Sequence, residues 1–339
     1  MPPSGGPPVF KLPGKCKNVL RPWPAFQIVM NIRLLMVLAI FVGSLTSMSA
    51  QKPKPKRLLV VTTTVGFRHD IDTVETALAE IAAESHEFTL EFIRQPPGRP
   101  EVPKKPAALK AGATEPEKAA FEAASKQYQL DNAKFLIDEA PWRKTLAETL
   151  MKLSPASLKN YDGVIFASTT GELPIPDKPG FLNWLRSGKA FIGIHAATDT
   201  FYEWPEYIDM IGGSFKTHGP QVGVDIINAD PKHPATKHLP AVWKIDLEEI
   251  YQFNSYDPKR VHELLYLDKH PNDKTPGHYP LAWTRDYGKG RVFYTALGHR
   301  ADIWKPDPSL KDRKNPLETA KAFRQHLISG ILWALNGEK

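Results

Sequence analysis

The chain has 339 residues, 42% hydrophobic and 24% charged, the make-up of a globular protein rather than a disordered or fibrous one. Its formal net charge of +7 invites an anionic partner, but Lys11, Lys15, Lys17, Arg21 and Arg33 fall in residues 1–50, where there is no acid. The remainder holds 39 bases against 37 acids, which removes the electrostatic footprint of a nucleic-acid binder.

Cys16, the only cysteine, lies in the same stretch, so the body has no disulfide framework, cysteine zinc site or thiol nucleophile. Residues 1–29 contain seven prolines and no hydrophobic periodicity; they are expected to be a disordered extension, with Met30 as the true start. Residues 30–50 have the pattern of a signal peptide. Arg33 supplies a positive start, 34–45 is a 12-residue apolar run, and Ser47, Ser49 and Ala50 offer a cleavage site. Such a run spans ~18 Å as helix, short of the ~30 Å hydrocarbon core. Cleavage and export (periplasmic or extracellular) are therefore expected, without stable membrane insertion afterwards; an N-terminal membrane anchor is the alternative.

The body alternates strands and helices. Residues 57–64 form a β-branched run with the profile of a strand buried on both faces. Asp70 is placed to cap a helix over 71–85, with Ile71, Val74, Leu78 and Ile81 at helical spacing. Residues 88–93 alternate as a second strand. Residues 95–115, rich in Pro, Lys, Ala and Gly, read as an exposed loop; two polar, poorly anchored helices over 117–130 and 139–153 follow. Together these make an insertion at about 96–150. A third strand is expected at 162–168, a helix at 179–187, a fourth strand at 190–194 and a helix around 201–211. Further strands fall at 222–227, 263–267, 281–284 and 291–295, before an amphipathic helix over 317–335. This order predicts a single α/β domain over 57–336 with a mostly parallel sheet, helices on both faces, and ligands at the carboxyl ends of the strands.

Chemistry-bearing residues collect at those ends. Gly193-Ile194-His195-Ala196-Ala197 has the strand-turn-helix context of a nucleophile elbow, with histidine at the apex. Imidazole there suits a general base or a metal ligand, and equally a histidine bonded into the turn for structure. The positive potential at such an apex should keep it neutral at pH 7. His69 follows the first strand, His218 sits in a loop after the elbow's helix, and His299 follows the strand at 291–295. All four are expected near one rim. They lack local ligand spacing such as H-x-x-x-H, so a divalent, zinc-like metal stays an option with no ligands assigned. Arg68, Asp199 and Glu249 are the charged candidates nearby, and Trp204, Tyr251 and Trp283 the aromatic ones. Flat rings with a polar handle suit sugars, though tryptophan at such spacing also serves as core.

The string Gly193-Ile194-His195-Ala196-Ala197-Thr198-Asp199-Thr200, then Trp204, Gly212-Gly213, Phe215 and His218, resembles the trehalose-utilisation (ThuA-like) family. His233-Pro234, Glu248-Glu249-Ile250-Tyr251, Ala282-Trp283 and the run from Gly288 to His299 extend the resemblance. It implies a flavodoxin-like, three-layer fold similar to class I glutamine amidotransferases. Those enzymes carry a cysteine at the elbow; this chain has His195, so glutaminase chemistry is not implied. A small-molecule carbohydrate is, either a disaccharide or its 3-keto derivative. On this resemblance His195, His299, His218 and Glu249 are the catalytic candidates, and Arg68, His69, Asp199, Trp204, Tyr251 and Trp283 the substrate-binding ones. Two functions stay open: an exported enzyme working by hydrolysis, elimination or isomerisation beside a carbonyl, and a non-catalytic sugar-binding or regulatory module. The insertion at 96–150 departs from the family pattern, as does Glu248, where Asp is common.

Overall fold

The computed structural model describes residues 54–337, so the extension and leader expected over 1–50 lie outside the described residues. The strand β1 (Lys56–Val61) comes first, with Leu58, Leu59, Val60 and Val61 wholly buried. Asp70 starts α1 (Ile71–Ser85) by accepting the Thr73 N–H on its side chain, and His86 ends it in the left-handed conformation. After β2 (Phe88–Ile93) and α2 (Glu115–Leu150) come β3 (Gly163–Ala167), α3 (Lys178–Arg186), β4 (Ala190–Ile194) and α4 (Pro205–Ile211). The remaining strands are β5 (Ser214–His218), β6 (Val222–Asn228), β7 (Val242–Glu248), β8 (Tyr251–Asn254), β9 (His262–Lys269), β10 (Pro276–Tyr287) and β11 (Gly290–Thr295), and the last long helix is α5 (Leu317–Asn336). Short helical turns, among them Pro155–Leu158 and Ala301–Trp304, lie between these elements.

Nine strands form one sheet in the order β2-β1-β3-β4-β11-β10-β9-β6-β7, while β5 pairs with β8 apart from it. The half from β2 to β11 is parallel; β10, β9, β6 and β7 continue it antiparallel. The chain steps from β1 out to β2, then crosses back to β3 on the other side of β1. Ligands in such sheets sit beyond the carboxyl ends of the strands at this kind of switch point.

Strand alternation assigns the helices to faces. On β11 the neighbours Phe293 and Tyr294 point to opposite sides. Phe293 meets His326 of α5 at 5.1 Å, and a Cβ on Gly330 of α5 would lie 2.4 Å from its ring. Tyr294 is in register with Gly193, on the side where Phe191 meets Tyr207 of α4 at 5.9 Å. Arg324 of α5 ion-pairs with Glu80 and Glu84 of α1, holding those two helices together on their face. The result is the expected flavodoxin-like α/β sandwich of three layers. Among the described residues, no helix is long and apolar enough to cross a membrane.

The insertion differs from expectation. One 36-residue helix, α2, replaces the two polar helices and runs through Pro141. Its buried residues, Phe135, Glu139, Trp142, Leu146 and Leu150, recur every three or four positions, a single stripe continuous across the proline. Pro141 lies off that stripe on the exposed side, where water can serve the carbonyl its missing N–H leaves unpaired. The helix is also anchored rather than loose. Glu139, wholly buried, pairs with Arg99 at 2.8 Å and Arg143 at 2.6 Å. The Arg99 guanidinium also donates to the Val65 carbonyl at 2.7 Å, in the loop that leads to His69. Arg99→Ala should therefore lower stability by about 2 kcal/mol through lost charge-assisted hydrogen bonds, with Arg143 still neutralising Glu139. Urea unfolding measures this, and an unchanged midpoint would contradict it.

Three further corrections concern strands. The segment after α4, expected as a loop, is β5. Residues 242–248 and 251–254 are strands that the expected element order lacks.

Candidate functional site

His195 occupies a true elbow. It follows β4 with φ of 51°, a left-handed value that costs a residue with a Cβ and persists only where the surroundings enforce it. Gly193, two residues earlier, allows the close packing, since a Cβ there would sit 2.9 Å from the Tyr294 ring. The Tyr294 hydroxyl donates to the His195 carbonyl at 2.8 Å, and the Tyr207 hydroxyl donates to the Ala197 carbonyl at 2.9 Å. Both ties come from the face of the sheet that carries α4. The His195 Nδ1–H donates to the Ala296 carbonyl at 2.8 Å, just beyond β11. A carbonyl only accepts, so Nδ1 holds the proton and Nε2 keeps its lone pair. Burial, then the neighbouring His69 and His299, drive this imidazole well below its ordinary pKa, so it is neutral at pH 7.

That lone pair faces the other imidazoles. His195 Nε2 lies 3.3 Å from His299 Nδ1 and 3.6 Å from Glu249 Oε2. Glu249 Oε2 is 3.2 Å from His299 Nδ1, and its Oε1 is 3.1 Å from His218 Nδ1. The His69 ring packs edge-on against His195 and His299, with centroids 4.7 and 5.5 Å away. Burial, helped by the charge of His299, lowers His69 to about 4. Burial also works against protonating His299, but its hydrogen bond and charge interaction with Glu249 prevail and raise it. Donor atoms from His69, His195, Glu249 and His299 all lie within 4.8 Å of one another.

Above this cluster opens a cavity of about 280 Å³, lined by Phe67, His69, Asp199, Phe215, His218, Glu249, Tyr251 and His299. His195 lies beneath it, wholly buried, with the Tyr251 ring 4.4 Å away. Asp199 accepts from the Tyr202 hydroxyl, and burial raises its carboxyl above the usual range. A second cavity of about 510 Å³ adjoins through His299 and is lined by Gln221, Arg300, Asp302 and Lys311 among others.

Of the ten sequence candidates, the structure gathers His69, His195, His218, His299, Glu249, Asp199 and Tyr251. Three stand apart. Arg68 is exposed and donates to the Gln95 side chain at 2.9 Å. Trp204 stacks on Tyr207 in the core, and Trp283 is wholly buried with its N–H given to the Ile211 carbonyl. Phe67 and Phe215 supply the aromatic wall in their stead. Phe67 could have been singled out as an apolar residue two places before His69. Phe215 stood in the family motif, but spacing alone could not aim it at the cavity, because a bulge between Phe215 and Thr217 adds a residue to β5 and so puts Phe215 and His218 on one side. Glu248 was the other omission. It is wholly buried, and its Oε1 accepts the backbone N–H of Gly298 at 3.1 Å and of His299 at 2.6 Å.

A histidine-apex elbow at the strand ends of a flavodoxin-like sheet defines a class: an α/β protein with a His/Glu pocket where related folds hold a nucleophile. Residues 108–334 match the family model described as ThuA, trehalose utilisation, and the chain belongs to that family. This membership ties it to sugar use. A ThuA-like protein from Parabacteroides merdae is 18% identical, with a TM-score of 0.55 over 84% of this chain and 91% of its own. One from Bacteroides uniformis is 18% identical, with a TM-score of 0.54 over 85% of this chain and 94% of its own. At that identity the likeness concerns fold alone. No curated protein matches the chain.

Proposed function

We propose that this chain is an exported enzyme acting on small carbohydrates, disaccharides or their 3-keto derivatives, by proton transfer between substrate and the His218–Glu249 pair. The observation that carries this reading is one carboxylate touched by three imidazoles on the floor of an aromatic-walled cavity. A keto group acidifies the neighbouring C–H, and removing that proton near neutral pH is work an imidazole does. His218 is the exposed member of the cluster and exchanges protons with ligand and solvent; Glu249 Oε1 orients its ring. His195, sealed below, acts on His299 and Glu249 rather than on the substrate. Phe67, Phe215 and Tyr251 offer flat faces to a sugar ring. A 280 Å³ space suits one ring, at the small end of ligand pockets, and the cavity beyond His299 has room for a second.

The test is turnover. Purified protein is incubated with trehalose-type disaccharides and their 3-keto forms, and products are followed chromatographically. Product that accumulates in proportion to enzyme supports catalysis. A ligand that binds yet is recovered unchanged after long incubation establishes the sugar-binding module instead. Absence of both binding and turnover would overturn the carbohydrate reading.

A further inference from the structure

We infer that His69, His195, His299 and Glu249 form a binding site for one divalent transition-metal ion, of which zinc is the type. The inference rests on the arrangement of donor atoms and holds whatever the substrate proves to be.

Three of those atoms make a nearly regular triangle. His299 Nδ1, His195 Nε2 and Glu249 Oε2 are separated by 3.2, 3.3 and 3.6 Å. Nitrogen and oxygen ligands at ~2.0–2.2 Å around a tetrahedral zinc are about 3.3–3.6 Å apart, so the triangle has the size of one face of that polyhedron. The His69 donor, within 4.8 Å of the other three, is near enough to become a fourth ligand if its ring closes in by about 1 Å. Its Nδ1 is buried and has no hydrogen-bond partner.

The protonation pattern points the same way. The Ala296 carbonyl fixes the proton of His195 on Nδ1, leaving Nε2 as an acceptor aimed into the cluster. Glu249 Oε2 is a second acceptor, and the ring of His69 brings another nitrogen. Any N–H in the cluster must come from His69 or His299, at most one from each neutral ring, too few for acceptors that face one another on several sides. A cation at the centre would satisfy all of them together.

The supporting shell is of the kind metal sites use. A backbone carbonyl orients His195, and Glu248 holds the loop of His299 through its N–H groups. The donor set of three imidazoles and one carboxylate favours zinc and its first-row neighbours over magnesium or calcium, which prefer oxygen. The cavity lies on one side of the cluster, so a water or a substrate oxygen can add as a fifth ligand. His218 is outside the set and stays available for proton transfer.

The test uses the full chain. Protein stripped with EDTA and dialysed is titrated with zinc chloride by calorimetry, and bound metal is counted by mass spectrometry after gel filtration. We expect one zinc per chain and a higher melting temperature. His299→Ala and Glu249→Gln should each weaken zinc affinity by more than about 100-fold. His278→Ala, at an exposed pair with Glu263 elsewhere, should bind as the parent does. Failure of the stripped parent to take up zinc would overturn the proposal, as would uptake unaffected by both ligand substitutions. Glu249→Gln preserves side-chain size, and circular dichroism establishes that it is folded; the parent's own stoichiometry decides the matter if it is not.

Discussion

In the His218→Asn variant, kcat/KM on the sugar substrate should fall by about 10²–10⁴-fold, or roughly 3–5 kcal/mol of transition-state stabilisation, with the fold intact. The His218 side chain is 43% exposed, so its replacement removes little packing. Its ring touches the cavity wall, with centroids 6.1 Å from Tyr251 and 6.0 Å from Phe215. Asparagine keeps a side-chain group that can hydrogen-bond Glu249 Oε1, but it takes no proton near neutral pH. Binding should therefore change little and the loss should appear in kcat. Initial rates and a urea melt on the same preparation make the distinction. Turnover within threefold of the parent would show that His218 does not transfer the proton.

The parallel half of the sheet was legible because its strands are buried on both faces. Runs such as Val164-Ile165-Phe166 and Ala190-Phe191-Ile192 leave the sequence little else to be. The elbow was legible for a related reason: Gly193 and the alanines after His195 are what a sharp, crowded turn permits. Convergence of His69, His195 and His299 followed from placing each after a parallel strand, since parallel neighbours end on one edge. His218 was associated with the same rim although its segment was read as a loop. What escaped the sequence depends on partners far along the chain. β5 and β8 have five and four residues and exist by pairing with each other, too short for periodicity to register. β7 does alternate, with Trp243 and Ile245 buried between exposed neighbours, a signal present but unused. The unity of α2 was hidden by Pro141, which marks a break only if the stripe on the opposite side is ignored. Trp204 and Trp283 went to the core because large rings bury well, and smaller phenylalanines took the cavity.

Glu248→Ala should prove the most damaging single change beside the site, although Glu248 does not line the cavity. The carboxylate is wholly buried and holds three consecutive N–H groups, those of Gly298, His299 and, at 3.3 Å, Arg300. Burial alone pushes its carboxyl up, and even against those three donors it stays at about 7. Alanine would leave the donors without an acceptor in a place water does not readily reach. At about 1–3 kcal/mol for each orphaned buried group, the loss of stability should be at least about 3 kcal/mol. The loop could escape that cost only by moving, and Gly298, at φ of 124°, lets it move. Movement would carry His299 away from Glu249 and His195, and a shift of about 1 Å at a reacting centre can cost roughly 10²-fold in rate. Stability and kcat/KM should thus fall together, unlike the His218→Asn case, where they separate. Glu248→Gln sharpens the point: its amide oxygen can serve two of the N–H groups, but its NH₂ must face the third, donor against donor. It should lie between parent and Glu248→Ala in both urea midpoint and kcat/KM. A Glu248→Ala protein within about 1 kcal/mol of the parent, with unchanged turnover, would mean that the loop is held by its own packing and that the adjacent carboxylates do not divide the work between scaffold and site.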